Sequence, residues 1–309
     1  MQKAQKNKLK MRGVLGSLGC SCRLCRPELA YRTSALQGRQ SSPTVGDLVD
    51  ANKLLSSAQK TSDNGIRFHK RTFDFSESVI LSITDASHAA ETHTGINGRQ
   101  KGYRSQGGRM IFLADKMPTL EEPAQVHLLE WSSTTLKRVC RSTLQAETLS
   151  SMLGSESAQH LRAALYGSMC PKPPGRDDTW AISACDFKEI NWLTDCRSLV
   201  DYMSSTVGSA VSDKRLAIDL TTLKQELWRP EGSITGDPAS QPGMPLHAKD
   251  KMYWVSTRDM VCDALTKSMR WDAIRKVCIE GTIALSESAR RALPTAVEGT
   301  ASPLPNDHV

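Results

Sequence analysis

The sequence predicts an α/β domain introduced by a small basic helical segment, and three observations carry this. After residue 73, short β-rich runs and helical periodicities follow in the order β-β-β-α-β-α-β-α, an antiparallel opening meander followed by alternating strand and helix. Before it, apolar residues recur at helical spacings only. The charge divides at the same place: residues 1–72 hold 14 Lys/Arg against 4 Asp/Glu, a net of +10. The remaining 237 residues hold 26 against 29, a net of −3.

Taken in order, residues 12–60 read as helical in two blocks. Val14, Leu15 and Leu18 lead into the first, and Leu29, Ala30, Tyr31 and Leu36 follow Pro27. Val45, Leu48, Val49, Ala51, Leu54 and Leu55 mark a further helix to Ala58. Polar residues 60–72, with the Asn64-Gly65 turn signal, place a boundary near 73. Val79 to Thr84 is β-rich and ends at Asp85, and a polar loop rich in glycine then leads to Gly107-Gly108. Met110 to Ala114 and His127 to Trp131 are the second and third strands. Residues 142–166 form a helix whose middle Gly154 weakens. After a Pro/Gly-rich insertion come a strand at 189–194 ending at Asp195 and an amphipathic helix at 213–228. A second Pro/Gly-rich insertion and a strand at 252–255 follow, then helical stretches at 259–270 and 271–279. The domains expected are thus 1–72, 73–285 and a tail, 286–309, without fixed structure.

Composition narrows the function. Of 309 residues 39% are hydrophobic, enough for a sizeable core, and no apolar run is long enough to span a membrane. The basic start lacks the apolar stretch of a secretory signal, so secretion is not expected. Nine cysteines, an odd number in such a chain, read as reduced thiols; Cys20-x-Cys22-x-x-Cys25 lacks a fourth zinc ligand at usable spacing. The excess of +7 lies wholly in the first quarter and favours a polyanionic partner, most simply nucleic acid or an acidic membrane surface, over a solvated basic tail.

Asp85 and Asp195 end strands, where ligands collect at the mouth of an α/β sheet, and Glu147 and Asp263 lie on helices. Four such acids converging would hold divalent cations through hard oxygen ligands, since clustered carboxylates otherwise raise one another's pKa. Paired Mg²⁺ ions activate a water and stabilise the leaving oxygen of a phosphodiester.

The residues around these acids carry a resemblance. Asp85-Ala86 stands at a strand end. Trp131-Ser132-Ser133 precedes Ser142-Thr143-Leu144-Gln145-Ala146-Glu147, and Asp195 is followed three residues on by Ser198. Ala264-Leu265-Thr266-Lys267 follows Asp263. In this order the segments resemble the ribonuclease H domain of copia-type long-terminal-repeat retrotransposon polyproteins, over roughly residues 80–280. Arg26-Pro27-Glu28-Leu29 resembles a segment in the C-terminal part of the reverse transcriptase that precedes that nuclease. The resemblance implies a ribonuclease H-like fold, a mixed five-stranded sheet with flanking helices. It implies two Mg²⁺ ions, with Mn²⁺ as substitute, held by Asp85, Glu147, Asp195 and Asp263. It also implies cleavage of the RNA strand of an RNA–DNA hybrid to 5′-phosphate and 3′-hydroxyl ends. Ser198, Lys214, Arg215 and the basic N-terminal block would contact phosphates, which carry affinity rather than sequence preference. The rest of a reverse transcriptase is a further partner, and the compartment is the cytoplasm, in virus-like particles, or the nucleus.

The chain departs from the pattern in places. Cys196-Arg197 stands where the family has Asn-Gln, Cys262 replaces an alanine before the last acid, and the insertions 171–186 and 231–249 are long. No Tyr-x-Asp-Asp motif is present, so polymerase activity is not expected. Two alternatives stay open: a catalytically silent nucleic-acid-binding remnant, and an integrase-like transferase, whose acid set usually ends in Glu. Asp259 is the substitute should Asp263 point away. His88 and His93 read as solvated, and Trp131, Trp192 and Trp254 as core. No Gly-x-Ser-x-Gly elbow or phosphate-binding Gly-x-x-x-x-Gly-Lys loop occurs.

Overall fold

Along β1 (Val79–Thr94), Leu81 and Ile83 enter one hydrophobic cluster and Ile80 another, so this strand is covered on both faces. The computed structural model describes residues 2–70, 74–94, 100–169, 187–205, 211–227, 229–230, 246–247, 250–269 and 272–293. Its architecture is mixed α/β: a seven-stranded mixed sheet between two helical layers.

β2 (Gln100–Ala114) and β3 (Ala124–Thr135) continue from β1 as an antiparallel meander. β4 (Ile190–Thr194) runs parallel to β1, and β7 (Lys251–Trp254) parallel to β4. β8 (Thr282–Ile283) and β9 (Arg290–Arg291) add antiparallel edges, giving the order β8-β3-β2-β1-β4-β7-β9. The expected five strands are therefore exceeded by two. A separate pair, β5 (Arg229–Pro230) with β6 (Leu246–His247), lies apart from the sheet.

One face is covered by α1 (Gln2–Leu24), α2 (Ala30–Arg39) and α3 (Val45–Lys60), with a 3-10 turn at Pro27–Leu29. Leu15 and Leu54, both fully buried, share a cluster with Leu81 and Phe112 of the sheet. The basic segment thus packs on the domain through its apolar stripe, each such leucine contributing about 1.5–3 kcal/mol. A capping box sets the start of α3: Asp47 N donates to Thr44 Oγ1 (3.2 Å) and Thr44 N to Asp47 Oδ2 (2.8 Å). The other face carries α4 (Thr143–Met169), α5 (Arg197–Ser204) and α6 (Lys214–Leu227). Ala158, Leu199 and Leu220 from these helices meet Ile80, Ile190 and Trp192.

Several expectations need correction. β1 runs nine residues past Asp85, because antiparallel pairing with β2 continues to Thr94↔Gln100; only the parallel pairing with β4 stops, at Ile83↔Leu193. Residues 100–109, expected in a loop, are therefore strand, and a bulge between Ser87 and Glu91 places Ala89 at φ 51°. The two helices expected at 259–279 are short turns: 3-10 at Thr257–Asp259, α7 (Asp263–Thr266), α8 (Asp272–Arg275) and a π turn at Lys276–Glu280. The expected tail begins too early, since Arg290–Arg291 pairs with β7 and Ala292 N donates to Met252 O at 2.8 Å. Residues 294–309, the insertion 171–186 and most of 231–249 lie outside the described residues.

Candidate metal centre

Parallel pairing of β1 with β4 brings the ends of that ladder to one edge of the sheet, where Asp85 and Asp195 follow two residues after Ile83 and Leu193. The second turn of α4 crosses this edge and adds Glu147, whose Oε1 accepts from Ala86 N at 3.1 Å. Ser150 Oγ donates to Asp85 O at 2.8 Å, and Thr84 Oγ1 meets Ser151 Oγ at 3.1 Å. One carboxylate oxygen from each of Asp85, Glu147 and Asp195 lies within 4.8 Å of the other two.

Glycines permit this approach. A Cβ on Gly154 would fall 2.3 Å from Thr84 Cγ2, so only glycine lets α4 lie this close to β1. Gly108, opposite Asp85 in the β2 ladder, admits α7: a Cβ there would meet Thr266 Cγ2 at 2.8 Å and Leu265 Cβ at 2.9 Å.

Burial dominates the electrostatics. Asp85 is 2% and Glu147 3% exposed. Desolvation, with the neighbouring Asp263 and Asp195 charges, pushes the Asp85 carboxyl up to about 7 despite the Thr266 hydroxyl and the Lys267 ammonium. Desolvation, then the charges of Asp85 and Asp195, raises Glu147 to about 9. Glu147 Oε2 is buried without any hydrogen-bond partner. Such an orphaned oxygen, on an acid grouped with two further carboxylates, is what a hard divalent cation would satisfy; the donor set is all oxygen and fits such an ion. Asp195 is half-buried and held on two sides, with Thr257 Oγ1 donating to Oδ2 (2.8 Å) and Trp254 Nε1 to its carbonyl (3.0 Å).

Asp263, the fourth expected acid, is not in the group of three. Its Oδ1 receives Lys267 Nζ at 2.5 Å, and the same Nζ lies 4.0 Å from Asp85 Oδ2, so one ammonium serves both acids. The substitute Asp259 is engaged elsewhere, its Oδ2 accepting from Ser286 N at 2.8 Å. Ser198 is exposed on the first turn of α5, with its Oγ 3.4 Å from Cys196 Sγ. Lys214 and Arg215 are exposed on the first turn of α6. Arg138 joins that helix to the segment before α4 through Asp219 (2.7 Å).

His88 departs from expectation: it is half-buried, with Nε2 3.2 Å from Cys140 O. Trp192 is core, whereas Trp131 and Trp254 are partly buried and spend their indole N–H on Cys22 O and Asp195 O. The seven described cysteines are free thiols, and among the described residues no helix is long and apolar enough to cross a membrane. Sequence reasoning passed over Thr257, Thr266 and Lys267, which hold the acids. The only trace of their role in the sequence is that Thr266-Lys267 belongs to the final motif. Compared with known proteins, the chain matches no family model, no curated protein and no solved structure.

Proposed function

We propose that the chain is a metal-dependent endonuclease of the ribonuclease H type, which hydrolyses the RNA strand of RNA–DNA hybrids and derives from a retrotransposon polyprotein. The observation that carries this is the convergence of Asp85, Glu147 and Asp195, one carboxylate oxygen of each within 4.8 Å of the others, together with a buried Glu147 Oε2 that has no hydrogen-bond partner. The inner strand order β3-β2-β1-β4-β7, three strands antiparallel and then two joined in parallel, supports the same fold family.

Asp85, Glu147 and Asp195 would hold Mg²⁺ or Mn²⁺, with Asp263 completing the set. Bound there, the ions supply neutralising charge for the phosphodiester and lower the pKa of the attacking water. The chain's own residues prepare the site. Thr257 orients the Asp195 carboxylate, Thr266 that of Asp85, and the Ala86 N–H that of Glu147. Phosphate contacts fall to Ser198, Lys214, Arg215 and the basic N-terminal helices, and the 2′-hydroxyl distinguishes RNA from DNA.

The test is cleavage of a labelled RNA–DNA hybrid by purified protein in Mg²⁺, beside Asp195→Asn. Cleavage by the native chain and none by the variant is the expected result. Equal cleavage by both overturns the site. Hybrid binding without cleavage, in Mg²⁺ and in Mn²⁺, replaces the nuclease with the silent binding module.

A further inference from the structure

The fourth acid is not free. Lys267 follows α7 directly, and its backbone N–H bonds Asp263 O at 2.8 Å, which anchors the stem beside that acid. Its ammonium reaches Asp263 Oδ1 at 2.5 Å and stands 4.0 Å from Asp85 Oδ2. The two carboxylates are buried, at 11% and 2% side-chain exposure, whereas the lysine side chain is 44% exposed. The ammonium is therefore paired with a buried acid while the lysine side chain as a whole stays in contact with water. Asp85 also belongs to the trio with Glu147 and Asp195, in which the buried Glu147 Oε2 has no hydrogen-bond partner. The chain's own cation is thus paired with Asp263, while Glu147 keeps a buried oxygen that no hydrogen bond satisfies.

We propose that Lys267 is a tethered counter-cation guarding the Asp263 side of the centre, so that a second divalent ion binds there only when the lysine swings out. This rests on the metal centre proposed above and adds a regulation to it. A flexible four-carbon stem and a compact, readily hydrated ammonium suit Lys to such an exchange. Lys267 Nζ already lies 2.5 Å from Asp263 Oδ1, so an ion bound through that oxygen must displace the ammonium. Lys267 acts through Asp263 and Asp85 and is a positioning residue.

The experiment is calorimetric titration of MnCl₂ into metal-free full-length protein, without nucleic acid. Native protein is expected to bind one ion and then a second more weakly. Lys267→Met is expected to tighten the second event about tenfold, within the span usual for coupling between two binding events, and to leave the first nearly unchanged. Lys267→Arg, which keeps the charge, should show no such gain, and in Asp263→Asn the Lys267→Met gain should vanish. An unchanged second affinity in Lys267→Met, or a gain that survives Asp263→Asn, overturns the guard. Native protein that binds no Mn²⁺ overturns the guard and the metal centre together. Titrations as expected with no hybrid cleavage by any variant uphold the guard and reject the nuclease.

Discussion

The two ends of the sheet bury acids on opposite terms. At the entry to β4 and β7, Asp250 is 5% exposed, and its Oδ1 accepts from Arg162 Nη1 at 2.7 Å and from Ile190 N at 3.0 Å. Arg162, 2% exposed, also donates to Lys188 O at 3.1 Å. At the other end Asp85 and Glu147 are as deeply buried, yet the nearest ammonium stands 4.0 Å from Asp85, and one Glu147 oxygen has no partner. Helix α4 carries both Glu147 and Arg162, about 22 Å apart along its axis. One end completes its charges within the chain and holds secondary structure together. The other leaves a buried Glu147 oxygen without a partner, in a group of acids that could hold a metal ion. Burial of a carboxylate is therefore not itself a functional signal; burial without compensation is.

The largest effect that would break this contrast lies at the paired end. Arg162→Met should leave Asp250 buried and uncompensated, costing about 3–5 kcal/mol of stability in denaturant unfolding. A loss below 1 kcal/mol would mean that the two ends do not differ.

At the unpaired end the same kind of change should act on activity and pH dependence instead. Glu147→Gln should lower hybrid cleavage by more than the about 100-fold that bounds the loss of a ligand's hydrogen-bonding partner. It should also stabilise the metal-free protein at pH 8. The sign follows from the raised pKa values: the native state keeps protons on Asp85 and Glu147 that the unfolded chain releases near 3.8 and 4.5. Stability of the metal-free protein should therefore fall as pH rises from about 4 towards 7 for Asp85 and towards 9 for Glu147. The slope is up to about 1.4 kcal/mol per pH unit for each group. Added Mg²⁺ should flatten it, and Glu147→Gln should remove its portion above pH 7. A flat melting profile from pH 5 to 9 without metal would contradict the uncompensated burial. The smallest effect is expected from Thr257→Ala, which frees one Asp195 oxygen: about tenfold in cleavage or Mg²⁺ affinity, with little change in melting temperature. Unaltered metal affinity and activity would show that Thr257 does not orient the ligand.

Local signals made much of this readable from residue types. Short β-rich runs placed β4 and β7, and the start of β1, to within a residue, since a strand covered on both faces, as β4 is, reads as a continuous apolar run. The leucine stripe of α6 and the periodicity of α4 placed those helices for the same reason. What pairing decides was not readable. Asp85 looked like a strand end because the apolar run stops there, yet the β2 ladder carries the strand on through polar residues. Gly154 looked like a flaw in α4, and it is the point at which the helix must touch Thr84.

The division follows the range of the forces. The chain by itself determined the basic leading segment, the α/β alternation and the identity of the acids, since periodicity, charge and motif are properties of neighbours in sequence. Only the tertiary structure decided that three acids share one space while Lys267 holds the fourth, and that Arg162 finds Asp250 across 88 residues. Desolvation and ion pairing depend on what lies within a few ångströms, and that is set when the sheet assembles.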